Sequence, residues 1–226
     1  MTLLTTVQNA AEALGIKPPA SVADSTSDTA RALKRFAVNT AEELMREHDW
    51  QVLTKEHEIT ITGPKDAYEL PDDLDRIIPN SFWNENDRWR VRGNQTAEEW
   101  ARRKNSWDFS SSFNAAFFIS QGLITFDPKP DGLDIVSFYY ISKNFLDDNS
   151  STWNADSQSS LIPEQLIEYG VIYKMLRRLG RDYAGELNDY TAQKYRYFGQ
   201  DVPAPVINLG PNAVQFAGIT PETGIG

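Results

Sequence analysis

The hydrophobic pattern of this 226-residue chain changes period twice, and the two changes leave few folds open to it. From Leu3 to about Glu47 apolar residues recur three and four apart, as on one face of a helix. From Glu56 to Thr62 they alternate, the spacing of a half-buried strand. After Pro163 the helical period returns. A chain that leaves one period and comes back to it is expected to pack its two ends together and to hold a sheet between them. The expectation is an α+β fold: a helical bundle built from N-terminal and C-terminal helices, an inserted antiparallel β region, and an extended C-terminal arm. By residue, 1–52 and 160–198 form the bundle, 53–146 the β region with a short helix, 147–159 a polar loop, and 199–226 the arm.

Leu3, Val7, Ala10 and Leu14 trace the first helix behind the cap Thr2, and Gly15 with Pro18 and Pro19 stops it. Ser25 and Asp28 resemble a capping box, after which Ala30, Leu33, Ala37, Ala41 and Leu44 trace a longer helix. In the β region, His57, Ile59 and Ile61 alternate with Glu56, Glu58 and Thr60 up to Gly63-Pro64, and Ala67 to Leu70 reads as a short partner strand. Arg76 to Phe82 is an apolar crossing in which Pro79 favours an edge position. Thr96 and Glu99 mark a capping box for a helix from Ala97 to Lys104. Phe117 to Ser120 and Leu123 to Phe126 flank Gln121-Gly122, a two-residue hairpin turn, and with Leu133 to Ile141 suggest a three-stranded meander.

Asp147 to Ser160 is polar apart from Trp153, and Pro163 stands where a first helical residue belongs. The helix that follows, to Leu179, is apolar nearly all round, with Leu166, Tyr169, Tyr173 and Leu176 among its large residues, so it must be covered on most sides. Gly180 and Gly185 bracket a break before Leu187, Tyr190, Lys194 and Tyr197, a further helix with an aromatic face. From Gly199 onward periodicity disappears. Four prolines punctuate this tail and only Asp201 and Glu222 carry side-chain charge, yet Val202, Val206, Ile207, Leu209, Val214, Phe216 and Ile219 keep it apolar. Such a segment suits docking on another surface, where fixed φ angles lower the cost of ordering, against the alternative of wrapping its own domain.

Aromatic residues make up 12% of the chain, with six Trp, enough for a true core. The formal charge of −10 argues against a protein whose main work is gripping nucleic acid. Without cysteine there is no disulfide framework, thiolate nucleophile or Cys-ligated metal. No signal peptide or membrane-spanning run is legible, so the expectation is a cytosolic protein with no membrane contact. His48 and His57 lack metal-site spacing and read as a helix C-terminus and a strand-face residue. No nucleophile elbow, Walker loop or dinucleotide fingerprint occurs. The pairs Asp72 with Asp73, and Asp147 with Asp148, read as solvated loop or cap residues. Neither a metal, a cofactor nor an enzymatic activity is expected.

One basic cluster interrupts the acidic average. Arg88, Arg90, Arg92, Arg102, Arg103 and Lys104 gather with Trp89, Trp100 and Trp107. Basic residues interleaved with Trp can mark nucleic-acid binding. The reading preferred here is ion pairing, with Arg88, Arg90 and Arg92 facing either Glu56 and Glu58 across a sheet or the acidic surface of a neighbouring subunit.

The order of these features, and the run Trp153-Asn-Ala-Asp156 leading into Leu161-Ile-Pro-Glu-Gln-Leu166, resembles the head-to-tail adaptor (connector, head completion) proteins of tailed bacteriophages. In that family a Trp and an Asp commonly precede an Ile-Pro helix start, matched here by Trp153, Asp156, Ile162 and Pro163. The resemblance implies a structural protein of the virion neck, assembled in the host cytoplasm as a homo-oligomeric ring, typically of twelve copies. The ring would join portal protein to tail or nozzle proteins and let DNA pass through its channel without specific binding. The arm, through Val202, Pro203, Pro205, Val206, Ile207, Leu209, Phe216 and Ile219, would dock on the portal. Leu166, Tyr169, Tyr173 and Leu176, with Arg88, Arg90 and Arg92, would form the subunit interface, and Trp153 and Asp156 a tail-facing or loop site. Rival expectations are a tail-completion protein of the same particle, a nucleic-acid-binding module using Arg88 to Lys104, and a hydrolase with a carboxylate site.

Overall fold

A computed structural model describes residues 2–61, 67–105, 115–128 and 134–201. The class is α+β. Helices α1 (Leu3–Ala13), α2 (Asp28–Glu47), α4 (Glu164–Arg178) and α5 (Ala184–Asp201) pack together, although the first pair and the last pair lie more than 100 residues apart in sequence. α4 is the centre: α1, α2 and α5 all pack on it. Its apolar surface is therefore largely covered within one chain, with Tyr169, Ile172, Tyr173 and Leu176 left partly exposed. The closest approach is at Gly170, where an added Cβ would fall 2.2 Å from the Thr40 methyl, so α2 and α4 touch there because no side chain intervenes.

Local chemistry starts and stops these helices. Thr2 caps α1 in a capping box with Thr5, and Gly15 (φ +66°) follows its end. α2 departs from the expected capping box. It begins at Asp28 with Ser27 as N-cap and no side-chain cap bond, because the Ser25 hydroxyl accepts from Ser27 N instead. Pro163 sits one position before α4 as its N-cap, and the Glu164 carboxylate accepts from Ser160 N at 3.0 Å.

Between α2 and α4 lie two antiparallel sheets. The first is ordered β1 (Thr54–Ile61), β8 (Asp134–Ser142), β4 (Trp83–Asn84), β5 (Trp89–Arg90), with β3 (Leu74–Ile77) also pairing β8. The second is ordered β2 (Tyr68–Glu69), β7 (Leu123–Asp127), β6 (Ala116–Ser120). The expected three-stranded meander is corrected here. β6 and β7 form the hairpin, with φ positive at both Gln121 and Gly122 as a type I′ turn requires, but β8 leaves it to pair with β1. The reason is burial: β8 inserts Val136, Phe138 and Tyr140 into the core of the first sheet, a face it would lose beside β7. Likewise the segment at Tyr68 pairs with β7, and the expected crossing from Arg76 to Phe82 holds only the end of β3 and a turn at Pro79, with β4 starting after it at Trp83.

A 3-10 turn (Gln51–Leu53) joins α2 to β1. Short helix α3 (Ala97–Lys104) starts with the expected Thr96/Glu99 capping box and lays Trp100 on Phe118 of β6, ring centroids 5.5 Å apart. Two cores result. One joins the four bundle helices with Ile141, Phe145, Leu146 and Trp153, and the other fills the sheets with Phe82, Phe117 and Phe138.

Candidate functional site

The loop from Lys143 to Ser160 is a clasp between the two ends of the chain. The Asp156 carboxylate accepts from Val22 N at 2.9 Å and Ala23 N at 2.7 Å, while Leu4 N donates to its carbonyl and Leu3 N to that of Gln158. Burial works to raise the Asp156 pKa, but the Ser21 hydroxyl, the two amides and the Lys34 charge outweigh it and hold it below its ordinary value. Inside the clasp, the Gln158 side-chain amide donates to Asp148 at 2.5 Å, and its Oε1 accepts from Asn154 N and Ala155 N. Asp147 accepts from Ser159 N.

Trp153 lies on this loop, but it is 4% exposed and stands edge-on to Phe145, centroids 5.0 Å apart. Its indole N–H has no partner among the described residues. Of the two expectations for this pair, a tail-facing or a loop site, the structure describes the loop: Trp153 is a packing wedge under it, and Asp156 holds it to the N-terminal segment. The Trp and Asp that drew attention in the sequence thus serve the clasp.

The proposed interface residues separate in the same way. Leu166 is fully buried in the bundle core, so it has no surface to offer a neighbour. Tyr173 is half-buried and packs its ring on Tyr190 of α5, 5.1 Å away. Tyr169 and Leu176 are half-buried against the core. Lys174, on the same helix, donates to Glu43 at 2.7 Å and to the Thr40 hydroxyl at 3.0 Å. Burial lowers its pKa, and Glu43 pulls in the opposite direction.

The basic cluster is dispersed. Arg103 binds Asp127 at 2.6 Å, Lys104 lies over the Trp100 ring at 5.5 Å, and Trp100 is buried. Trp107 lies outside the described residues. Arg88, Arg90 and Arg92 are exposed, the first two on a hairpin formed by β4 and β5 whose turn puts Arg88 at φ +56°, and Arg92 just after it, where the backbone bridges to Ala116. They do not face Glu56 and Glu58. β8 and β4 lie between β5 and β1, and Glu56 is opposite Tyr139 of β8. Beside these arginines stand two half-exposed indoles, Trp83 at 45% and Trp89 at 49%, with Trp83 directly across from Arg90.

Two polar centres escaped the sequence reading. Asp73, expected to be a solvated loop residue, accepts from Lys55 at 2.7 Å and from the Tyr140 and Ser142 hydroxyls at 2.8 Å each. Burial alone would raise its pKa. The bonds from Lys55, Ser142 and Tyr140 win and bring it to about 2, while burial and the Asp73 carboxylate push Tyr140 up to about 12. The second centre is Asp201. It accepts from Gln51 N at 3.0 Å, lies 2.9 Å from His48 Nε2, and receives the Gln51 side chain on its carbonyl. Phe198 stacks on His48, centroids 4.5 Å apart. Both carboxylates had a faint signal: Asp73 adjoins a strand start, and Asp201 is the last charge before an apolar tail. The arm's Val202, Pro203, Pro205, Val206, Ile207, Leu209, Phe216 and Ile219 lie outside the described residues, α5 having run on to Asp201 rather than ending at Gly199.

Helices contributed by both chain ends, a two-sheet insertion between them and a Trp-Asp clasp before an Ile-Pro helix start thus coexist in one chain. The sequence model of the SU10 adaptor protein family matches residues 1–207, which takes in every helix and strand described above. The chain belongs to that family. It is a phage head-to-tail adaptor family, so the role of this adaptor is structural. No curated protein matches the chain. Among the described residues of the adaptor, no group of three or more His, Cys, Asp or Glu is placed to hold a metal ion, and no helix is long and apolar enough to cross a membrane.

Proposed function

We propose that this adaptor is one subunit of a ring that docks on the portal at the virion neck and joins head to tail, with DNA crossing the central channel without specific binding. The observation that carries the reading is the family match, which runs through the bundle, the insertion and the clasp together. Within that frame the β4–β5 hairpin suits a subunit contact. It offers Trp83 and Trp89 beside Arg88, Arg90 and Arg92, and Trp and Arg are the residues most enriched where interfaces are strongest. An acidic chain gives such a hairpin abundant carboxylate on a neighbouring copy. On α4, Tyr169, Tyr173 and Leu176 are only partly buried and keep some surface for a second contact. The arm after Asp201, carrying Val206, Ile207, Leu209 and Phe216, supplies apolar anchors for the portal. A net charge of −10 suits a collar through which DNA slides.

Electron microscopy of the full chain mixed with purified portal tests this reading. The expected result is a ring stacked coaxially on the portal. Rings that ignore the portal and cap tail tubes instead would make the protein a tail-completion component, and a salt-sensitive shift of DNA mobility by the isolated chain would favour nucleic-acid binding.

A further inference from the structure

One row of side chains crosses the first sheet from an acidic end to a basic one. Glu58 of β1 stands opposite Ser137 of β8, Ser137 opposite Trp83 of β4, and Trp83 opposite Arg90 of β5. Residues directly opposite in neighbouring strands share a face, so these four lie on one side of the sheet. It is the outer side. Ile59 and Ile61 of β1, Val136 and Phe138 of β8, and Phe82 just before β4 turn the other way, into the core of the insertion.

The outer face therefore has unlike margins. Glu56 and Glu58 are exposed at the β1 end, Arg88 and Arg90 at the β5 end, and two half-exposed rings, Tyr139 and Trp83, stand between them. The Glu56 charge and a hydrogen bond to Glu56 hold the Tyr139 hydroxyl above its ordinary pKa, with Glu85 adding to the effect, so negative charge reaches the middle of the face. Among the described residues none of Glu56, Glu58, Arg88 and Arg90 forms an ion pair, the arginines not even with Glu85 and Asp87 of their own hairpin. Strands lie about 4.8 Å apart, so roughly 14 Å of sheet keeps the Glu58 and Arg90 backbones apart within one chain.

We propose that Arg88 and Arg90 of one copy seat on Glu56 and Glu58 of the next, joining the sheets head to tail, basic margin to acidic margin. The inference rests on the reading of the hairpin as a subunit contact, and it names the surface that receives the hairpin. A face with unlike ends complements a shifted copy of itself, and each contact leaves one basic and one acidic end unused until a ring closes. Two faces stacked about a two-fold axis would also bring Glu58 over Arg90. That face, however, measures roughly 26 Å by 14 Å, less than half of the ~800 Å² per partner in a standard stable interface. End-to-end contact lets α4 add its partly exposed side chains to the joint.

Charge reversal on the full-length protein with purified portal tests it, with rings counted by electron microscopy and sedimentation. Glu58→Arg and Arg90→Glu should each lose at least nine-tenths of the rings at an unchanged melting temperature, because both residues are exposed and like charges then meet across the joint. Combining the two reversals in one chain should restore the rings. Mixing the two single variants should restore them as well, since alternating copies then present unlike charges to each other. Rings that survive either single reversal, or that neither the combination nor the mixture recovers, would overturn the proposal. If Arg90→Glu alone abolishes rings and Glu58→Arg does not, the hairpin remains a subunit contact and only its partner surface is wrong. Parent particles that stop at two copies would overturn the head-to-tail contact in favour of a two-fold one. A parent chain that forms no ring, with or without portal, would instead overturn the ring reading and this inference with it.

Discussion

The bundle and the inserted sheets reach stability by different routes. The bundle concentrates its apolar residues in one core around α4, and its helices are tied across the sequence by Lys174 to Glu43, Lys194 to Glu47 and the Asp156 clasp. The insertion divides its strands between two sheets. Between them run the rings of Phe82, Phe117 and Phe138, with centroid separations of 3.9 and 4.5 Å along the stack, and backbone bonds joining Arg92 and Gln95 to the start of β6, while the Asp73 centre ties β1 to β8 within the first sheet. A frame with one core resists local opening, whereas a thin pair of sheets can hold exposed side chains at its margin with little cost to the whole. The largest side chains in the bundle are therefore expected to carry stability, and those on the outer hairpin to carry association.

The sharpest test of the frame is Trp153. Replacing it with alanine should cost about 3–5 kcal/mol, since a large buried ring leaves a void that the Phe145 side cannot close. Trp153→Phe should recover most of the loss, because the indole N–H has no described partner to forfeit. Denaturant titration of both variants decides the point. Equal losses would show that the polar group, and not the packing, matters at this position.

Much of this frame was legible in the sequence. The period-3.6 runs placed all four bundle helices, and the Gln121-Gly122 turn placed its hairpin, because local chemistry decides those elements. Strand partnership was not legible. β8 could satisfy its alternation beside β7 or beside β1, and only the shared core of Val136, Phe138 and Ile59 chooses between them. The site suffered for the same reason. Periodicity reported α4 as apolar all round but could not tell that α1, α2 and α5 would cover it, and Leu166 therefore read as an interface residue when it is core. Trp153, a lone large residue in a polar loop, gave no sign of whether it faced inward or outward.

Acid should separate the two regions further. The Asp73 carboxyl has a folded pKa of about 2 against an ordinary 3.8, so its stabilisation is complete above pH 3.8 and is lost as pH falls from there toward 2. With Lys55 about one-third exposed and its attraction screened by water, the loss amounts to roughly 1–2 kcal/mol. Asp73→Asn should be less stable near neutral pH by that amount and should show a flatter profile between pH 4 and 2. Because Asp73 bridges β1 and β8, its removal should open the insertion before the bundle. Amide exchange resolved by region would show this, and simultaneous loss of both regions would mean that they unfold as one unit.

The hairpin gives the smallest change in stability and the most telling one for function. Trp83 and Arg90 face each other across β4 and β5 at the margin of the sheet, exposed and away from both cores. Substituting Trp83→Ser together with Arg90→Glu should therefore change folding stability by no more than about 0.5 kcal/mol, the range of surface substitutions that create no cavity and bury no charge. If the hairpin is a subunit contact, the same pair removes an aromatic anchor and reverses a charge in a mostly acidic assembly, so ring formation should fail in sedimentation while the melting temperature holds. A large drop in melting temperature would make the hairpin part of the fold. Intact rings would move the subunit contact away from the hairpin, leaving Tyr169 and Leu176 on α4 as the next surface to change. The two measurements have to be read together, because only loss of assembly at constant stability separates a residue that binds a neighbour from one that holds its own chain together.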